Sequence, residues 1–581
     1  MHRSSIRTIA TVSCLLFGAA AWRLGTHSSS DFAARAQTSR AASAGAPQAQ
    51  QMHPVKATVS DPASSASSPP QPAAAPGTEI YTARRGEAIP MIARRYLGRT
   101  SYLTSADLAG AIRNINGDRT ANILKANENI VIPGILPAPI TEKAIPVAKD
   151  FEVRAIYLTG VMAGSSHGLR IIRHWREVGG NAVVFDIKDS DGTVNIPFEH
   201  PLLGRHMVYI HDVPKFAHFL HQQNMHAIAR IAIFRDERLV VEHPELAVQS
   251  RRTHQPWREN GKLVWTDPSN PKVQDYDIAL AKLVAQLGVD EIQFDYVRFP
   301  AEGDQEDATF LFQSEHLEAA QASNEQGSCT NRALPVGVGT DAFVRPFEAT
   351  QREIITNANV ESAAGSASAA VPTGQKNAAH GARRGVKSNC HTPHVLQRTD
   401  VITTFVKKAY AELHPTGVLL SLNVFGVMAW QRQVDLSHTG QDIVGMANYC
   451  DVLSPMVYPS HFFGMDNITN PGDEPAHFIG ESMDRFVVIT KGSGVVIRPW
   501  LQAFHWHTKT YSPEYIKVQV ETAKTKGGIG FLFWNAANDY SNPFVAMPEM
   551  KVANAKEKDK FFRGDEAPEA KAQDRSKYSR W

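Results

Sequence analysis

Cysteine is scarce in this chain, 4 in 581 residues, and neither sign of charge is in surplus. So few thiols cannot staple a disulfide scaffold, and the positions Cys14, Cys329, Cys390 and Cys450 fit no zinc spacing. The 60 Lys and Arg residues nearly cancel the 58 Asp and Glu residues, which leaves no broad basic face and excludes nucleic acid as an expected partner. Beyond the N-terminus there is no apolar run approaching the ~20 residues that a spanning helix needs. The 23 histidines are scattered and form no ligand set, so neither a metal nor a cofactor is expected.

The N-terminus has what the rest lacks. Arg3 and Arg7 precede the apolar run Ile9–Trp22, so residues 1–25 read as a signal peptide or, if uncleaved, a membrane anchor. An exported protein is expected, periplasmic, cell-envelope or secreted, touching membrane only through that segment. Export would allow Cys329 and Cys390 to pair, whereas Cys450 beside an apolar run reads as a buried small hydrophobe. Residues 26–77 are rich in Ala, Ser, Pro and Gln and too poor in bulky apolar groups to offset the entropy of ordering, which suits a tether.

From Ile80 the pattern becomes strand, helix, helix, strand: Ile80-Tyr81-Thr82, Ile89 to Tyr96, Leu108 to Ile115, then Asn129-Ile130-Val131-Ile132-Pro133. This β-α-α-β unit over 78–134 resembles a LysM domain in Tyr81-Thr82, Gly86-Glu87, Ile92-Ala93-Arg94-Arg95-Tyr96 and the closing strand; Ala88-Ile89-Pro90 departs from that pattern. The resemblance implies binding of N-acetylglucosamine-containing glycan such as peptidoglycan.

Over 150–548, apolar strand-like runs alternate with amphipathic helices, as in a parallel sheet with crossover helices. Eight strands are predicted: Ala155–Thr159, Ala182–Ile187, Ala227–Phe234, Glu291–Tyr296, Gly417–Asn423, Val452–Val457, Val496–Ala503 and Ile529–Trp534. Stripes at helical spacing lie between them, for example Leu169, Ile172, Trp175 and Val178. The fold class is therefore α/β, a (β/α)₈ TIM barrel preceded by the small β-α-α-β module. A doubly wound open sheet is the alternative, weakened because no glycine-rich phosphate loop follows the first strand. An insertion at 303–398 and a charged tail at 549–581 complete the organisation.

Barrel chemistry gathers where strands end. That rule selects Asp186, Lys188, Asp189 and Asp191 after the second strand, Arg235, Asp236 and Glu237 after the third, and Gln293, Asp295 and Arg298 on the fourth. Asn423, Tyr458, Gln502, His505, Trp534 and Asn535 end the later strands. Gln293 and Asp295 share a strand face, and Arg298 is expected to hold Asp295 ionised. Asp189 and Asp191 before Gly192 read as turn formers, and Asp236 equally as a helix cap.

The run Asp290-Glu291-Ile292-Gln293-Phe294-Asp295-Tyr296-Val297-Arg298-Phe299-Pro300 resembles the signature of a bacterial glycosyl-hydrolase-type family. Phe185-Asp186-Ile187-Lys188-Asp189, Arg230 to Asp236 and Ser454 to Phe462 support it. The resemblance implies a TIM-barrel glycosidase fold but supplies no established catalytic residues. Chitinase-like barrels would place a glutamate where Val297 stands; amylase-like barrels would match Asp295 but place an acid glutamate where Asn423 stands. The expected mechanism is two-carboxylate cleavage of a polysaccharide, with Asp295 as nucleophile or base and Asp186 or Asp236 as acid. Arg298, Gln293, Lys188, Tyr458, Gln502, Trp534 and Asn535 are the expected substrate contacts. The alternative is a non-catalytic glycan-binding or envelope-organising protein on the same fold.

Overall fold

The computed structural model describes residues 75–117, 123–313 and 396–553. The expected signal segment, most of the expected tether, the centre of the insertion with Cys329 and Cys390, and most of the charged tail lie outside them. Strands β1 (Thr78–Thr82) and β2 (Asn129–Pro133) pair antiparallel and pack on helices Ile89–Tyr96 and Ser105–Ile115. Ile89, Ile92, Leu108, Ile112, Ile130 and Ile132 fill that small core, as the helical and alternating spacings require.

The larger part is a closed barrel. β3 (Val153–Leu158), β4 (Ala182–Lys188) and β5 (His226–Ala232) run side by side. A short ribbon of β6 (Gln249–Ser250) and β8 (Ala308–Thr309) flanks β7 (Glu291–Asp295), which pairs with β5 and with β9 (Leu419–Phe425). β10 (Val452–Met456), the split seventh strand β11 (Val496–Ile497) and β12 (Trp500–Gln502), and β13 (Gly530–Trp534) close the ring onto β3. All barrel pairings are parallel. The seventh strand splits at Arg498-Pro499, because proline has no N–H for the ladder while its carbonyl still accepts from Leu532 N (3.0 Å).

The strands read as continuous apolar runs because both faces are covered. Ile156, Val183, Phe185, Ile231 and Phe294 face the helices, whereas Ala155, Tyr157, Val184, Ile228 and Leu532 face inward. Val147 and Phe151, just ahead of β3, join the inward set and plug the floor of the barrel. Cys450 is buried and free, as its setting predicts. No helix among the described residues is long and apolar enough to cross a membrane.

Candidate active site

Period-two alternation turns Ile228, Arg230 and Ala232 of β5 toward the barrel axis. A guanidinium there has left water and needs counter-charges. Two neighbouring strands supply them. Arg230 Nη1 donates to Asp186 Oδ1 on β4 (2.5 Å), and Nε and Nη2 reach Asp295 Oδ2 at the end of β7 (2.9 and 2.7 Å). Tyr157 of β3 donates its phenol to Asp186 Oδ2 (2.5 Å), and its ring stacks on Trp534 of β13, centroids 4.1 Å apart. Five adjacent strands thus contribute one connected row. Burial pushes the Asp186 carboxyl up to about 7 against the pull of Arg230, and it pushes the Tyr157 phenol well above its usual value.

Asp295 is the carboxylate of this row that reaches a cavity of about 390 Å³ at the barrel mouth, where Arg230 and Trp534 also line the wall. Its Oδ1 accepts from Tyr296 N (2.7 Å). Tyr296 has φ +53°, left-handed backbone that costs energy for an aromatic residue and concentrates at functional sites. Trp265, Tyr296, Phe425, Tyr458, Trp500 and Trp534 make the wall mostly aromatic, with Glu259, Glu302, Arg235, Arg298 and Asn423 as polar groups. An apolar wall with a few convergent polar groups is the usual make-up of a small-molecule or sugar site. Burial pushes the Tyr458 phenol well up, with Asp295 nearby, and pushes His461 on the same wall down to about 4.

The expected site residues divide. Asp295, Tyr458, Trp534 and Arg298 line the cavity; Asp186 lies behind it, wholly buried. Arg298 does not pair with Asp295 as expected. It donates to Phe299 O (3.0 Å) and lies over Trp265 (4.7 Å) and Phe425 (4.5 Å), and Arg230 takes the ion-pair role. Lys188 is also corrected. A β-bulge between Asp186 and Lys188 breaks the alternation and turns its ammonium outward, onto Asp277 Oδ1 (2.7 Å) of helix Pro271–Gln286 and Asp236 Oδ2 (2.8 Å). Asp236 is therefore no acid partner. It caps helix Glu237–Glu242 by accepting from Leu239 N (2.8 Å), and Gly192 (φ +88°) lets the preceding turn close where any Cβ would strike its Oδ1.

Three more expected sugar contacts are spent internally. Gln502 Oε1 accepts from Ser460 Oγ (2.8 Å), and its Nε2 donates to Phe504 O (3.0 Å). Asn535 donates to Ala503 O (2.6 Å) and Asp539 O (2.8 Å) and accepts from Ala537 N (2.8 Å). Both shape loops around the mouth. Gln293 lies inside the barrel, donating to Ser454 Oγ (3.4 Å). Asn423, where an acid glutamate was sought, accepts from Trp500 Nε1 (2.8 Å), and Val297 is buried among core residues. Asp191 is the turn former its spacing suggests, accepting from Thr193 N (2.8 Å).

Sequence reasoning missed Arg230, Glu259 and Glu302. The signal for Arg230 was present, because a charge in the apolar run Ala227–Phe234 must be paired when that strand is buried. Glu259 and Glu302 sit on long loops where no periodicity marks a direction. They are held by Trp265 Nε1 (2.8 Å) and Asn260 Nδ2 (3.1 Å) respectively.

The family model described as "Putative glycosyl hydrolase domain" matches residues 155–540. No curated protein matches the chain. Among solved structures, a hypothetical protein of Ruminiclostridium thermocellum is 33% identical, over 30% of this chain and 93% of its own, with a TM-score of 0.25. The PgaB (BpsB) glycoside hydrolase domain of Bordetella bronchiseptica is 13% identical, over 69% of this chain and 98% of its own, with a TM-score of 0.42. The spore cortex-lytic enzyme SleL of Bacillus megaterium is 11% identical, over 81% of this chain and 85% of its own, with a TM-score of 0.34.

Proposed function

This chain belongs to the "Putative glycosyl hydrolase domain" family, and from that premise we propose that it hydrolyses glycosidic bonds at the barrel mouth with Asp295 as nucleophile or base. The observation that carries the reading is the placement of Asp295: on the end of β7, open to an aromatic-walled cavity, and oriented by Arg230 and Tyr296 N. A carboxylate held at both oxygens keeps its direction while leaving lone pairs for a substrate.

The acid partner is Glu259 or Glu302, the other carboxyl groups on this wall among the described residues. Asp186 is a positioning residue: too buried to meet a glycan, it fixes the guanidinium that fixes Asp295. Tyr458 and Trp534 offer aromatic faces for sugar rings. The small module at 78–134 would hold glycan near the barrel, and residues 1–25 would export the protein to the cell envelope.

Reducing-end release across peptidoglycan, chitin, α-glucans and β-glucans tests the reading. Asp295→Asn should lower turnover by about 10²–10⁴-fold while leaving glycan binding intact, and one of Glu259→Gln and Glu302→Gln should lower it comparably. No release by the wild-type chain on any glycan, with binding unchanged in Asp295→Asn, would support the second reading. In it the barrel binds glycan without cleaving it, and the Arg230–Asp295 pair is structural. Removing 78–134 should reduce retention on insoluble peptidoglycan or chitin, and equal retention would remove the tether role.

A further inference from the structure

The cavity holds three arginines, and they are not equivalent. Arg230 is neutralised by Asp186 and Asp295. Arg235 and Arg298 are not: among the described residues neither has a carboxylate within ion-pair distance. Arg235 donates to Ser190 O (2.8 Å), Arg298 donates to Phe299 O (3.0 Å), and both guanidinium groups lie 5.6 Å from the centre of the Tyr296 ring. Each guanidinium carries five N–H donors, so most remain unused on a wall that also presents Lys262. Arg298 lies over Trp265, Phe425 and Tyr296, and Arg235 over Tyr296, so ring contacts restrict both forks in advance and lower the cost of using them. Glu259 and Glu302 face the same cavity but are bonded to Trp265 and Asn260.

We propose that Arg235 and Arg298 form an anion subsite beside Asp295, so that the glycan bound in this cleft carries an acidic substituent: a carboxylate, or a sulfate or phosphate ester. Planar forks suit such oxyanions through paired N–H···O bonds. A neutral glycan would leave two partly buried cations without counter-charge beside the reacting bond. This inference rests on the cleft being the glycan site and adds the class of sugar to that reading.

Calorimetric binding of thio-linked, non-hydrolysable oligosaccharides to the wild-type full chain separates the two claims, because it does not require turnover and leaves Arg230 paired with Asp295. The probes are an oligouronate, its carboxyl-reduced neutral form, and a sulfated oligosaccharide of similar length. The expected result is at least about tenfold tighter binding of one acidic probe than of the neutral one, weakening as salt is raised. The preferred acidic probe identifies the substituent. Arg235→Gln with Arg298→Gln should erase that preference, weakening the acidic probe by about tenfold and the neutral probe by much less in a protein that circular dichroism shows still folded, and Arg298→Lys should keep only part of it. Equal affinity for all probes, binding of none, or a preference that survives both substitutions in a folded protein would overturn the subsite. Acidic preference without cleavage by the wild-type chain would keep the subsite and discard the hydrolase; cleavage of neutral and acidic glycans alike would do the reverse.

Discussion

Arg230 ties the candidate site to the stability of the barrel. Its guanidinium is fully buried and bridges two carboxylates that are themselves buried. Breaking a buried ion pair from one side leaves the other charge without water or partner, and here two charges would be stranded. Arg230→Met should therefore destabilise the protein by about 3–5 kcal/mol, read as a shift in the chemical denaturation midpoint. A loss under about 1 kcal/mol would mean that the pairs contribute little. Asp186→Asn should be milder, since the amide oxygen still accepts from Tyr157 or Arg230, and it should lower kcat more than it changes KM. At this scale the sequence was half legible. The strand-end rule placed Asp295 at the barrel mouth, where it lines the cavity, but its partner was sought three residues along the chain, in Arg298, rather than one strand away. Ion pairs across a parallel sheet depend on register, which a linear reading does not contain.

Elements were more legible than side chains. All eight strands lie within two residues of the predicted ends, because a strand covered on both faces must be apolar throughout and glycine and polar turns delimit it. Irregularities escaped. Nothing in Phe185-Asp186-Ile187-Lys188 announces the β4 bulge, so the strand-end rule grouped Lys188 with Asp186 as a substrate contact. The bulge instead makes Lys188 the cation between β4 and its covering helix, held well above its usual pKa by Asp236 and Asp277 against the effect of burial. Lys188→Met should cost about 3–5 kcal/mol at pH 8. The cost should shrink at pH 5. Burial already pushes Asp277 up to about 7 with Lys188 in place, so without the lysine the folded state binds a proton there that the unfolded chain releases. A raised carboxyl favours folding at low pH, and that stability disappears as pH rises through the folded pKa. Denaturation midpoints of the variant at the two pH values measure this, and a pH-independent loss would argue against the assignment.

At the scale of the whole molecule, the strap of residues leading into β3 was legible only as a gap between two patterned regions, yet it closes the barrel at the end opposite the cavity. Asp290, just before β7, accepts from Ile145 N (2.6 Å) on the strap and from Ala227 N (2.9 Å) on β5. His221, at the end of helix Val213–Gln222, joins it: Nε2 lies 3.1 Å from Asp290 and Nδ1 3.2 Å from Glu142 of the strap. Burial works to lower the pKa of His221, but Asp290 and Glu142 overcome it and raise it to about 9. The imidazolium is thus the clamp between strap and barrel. Because the folded pKa lies above the ordinary ~6.5, its contribution is fully present below pH 6.5 and is lost as pH rises through 9. The magnitude is at most roughly 3–4 kcal/mol, at 1.36 kcal/mol per unit. The wild-type chain should lose stability between pH 6 and pH 9.5, whereas His221→Gln, without the titrating ring, should be less stable at pH 6 and show a flatter profile. Paired denaturation curves at those two pH values decide it: parallel profiles for the two proteins would mean that the strap is held by packing of Val147 and Phe151 and not by charge.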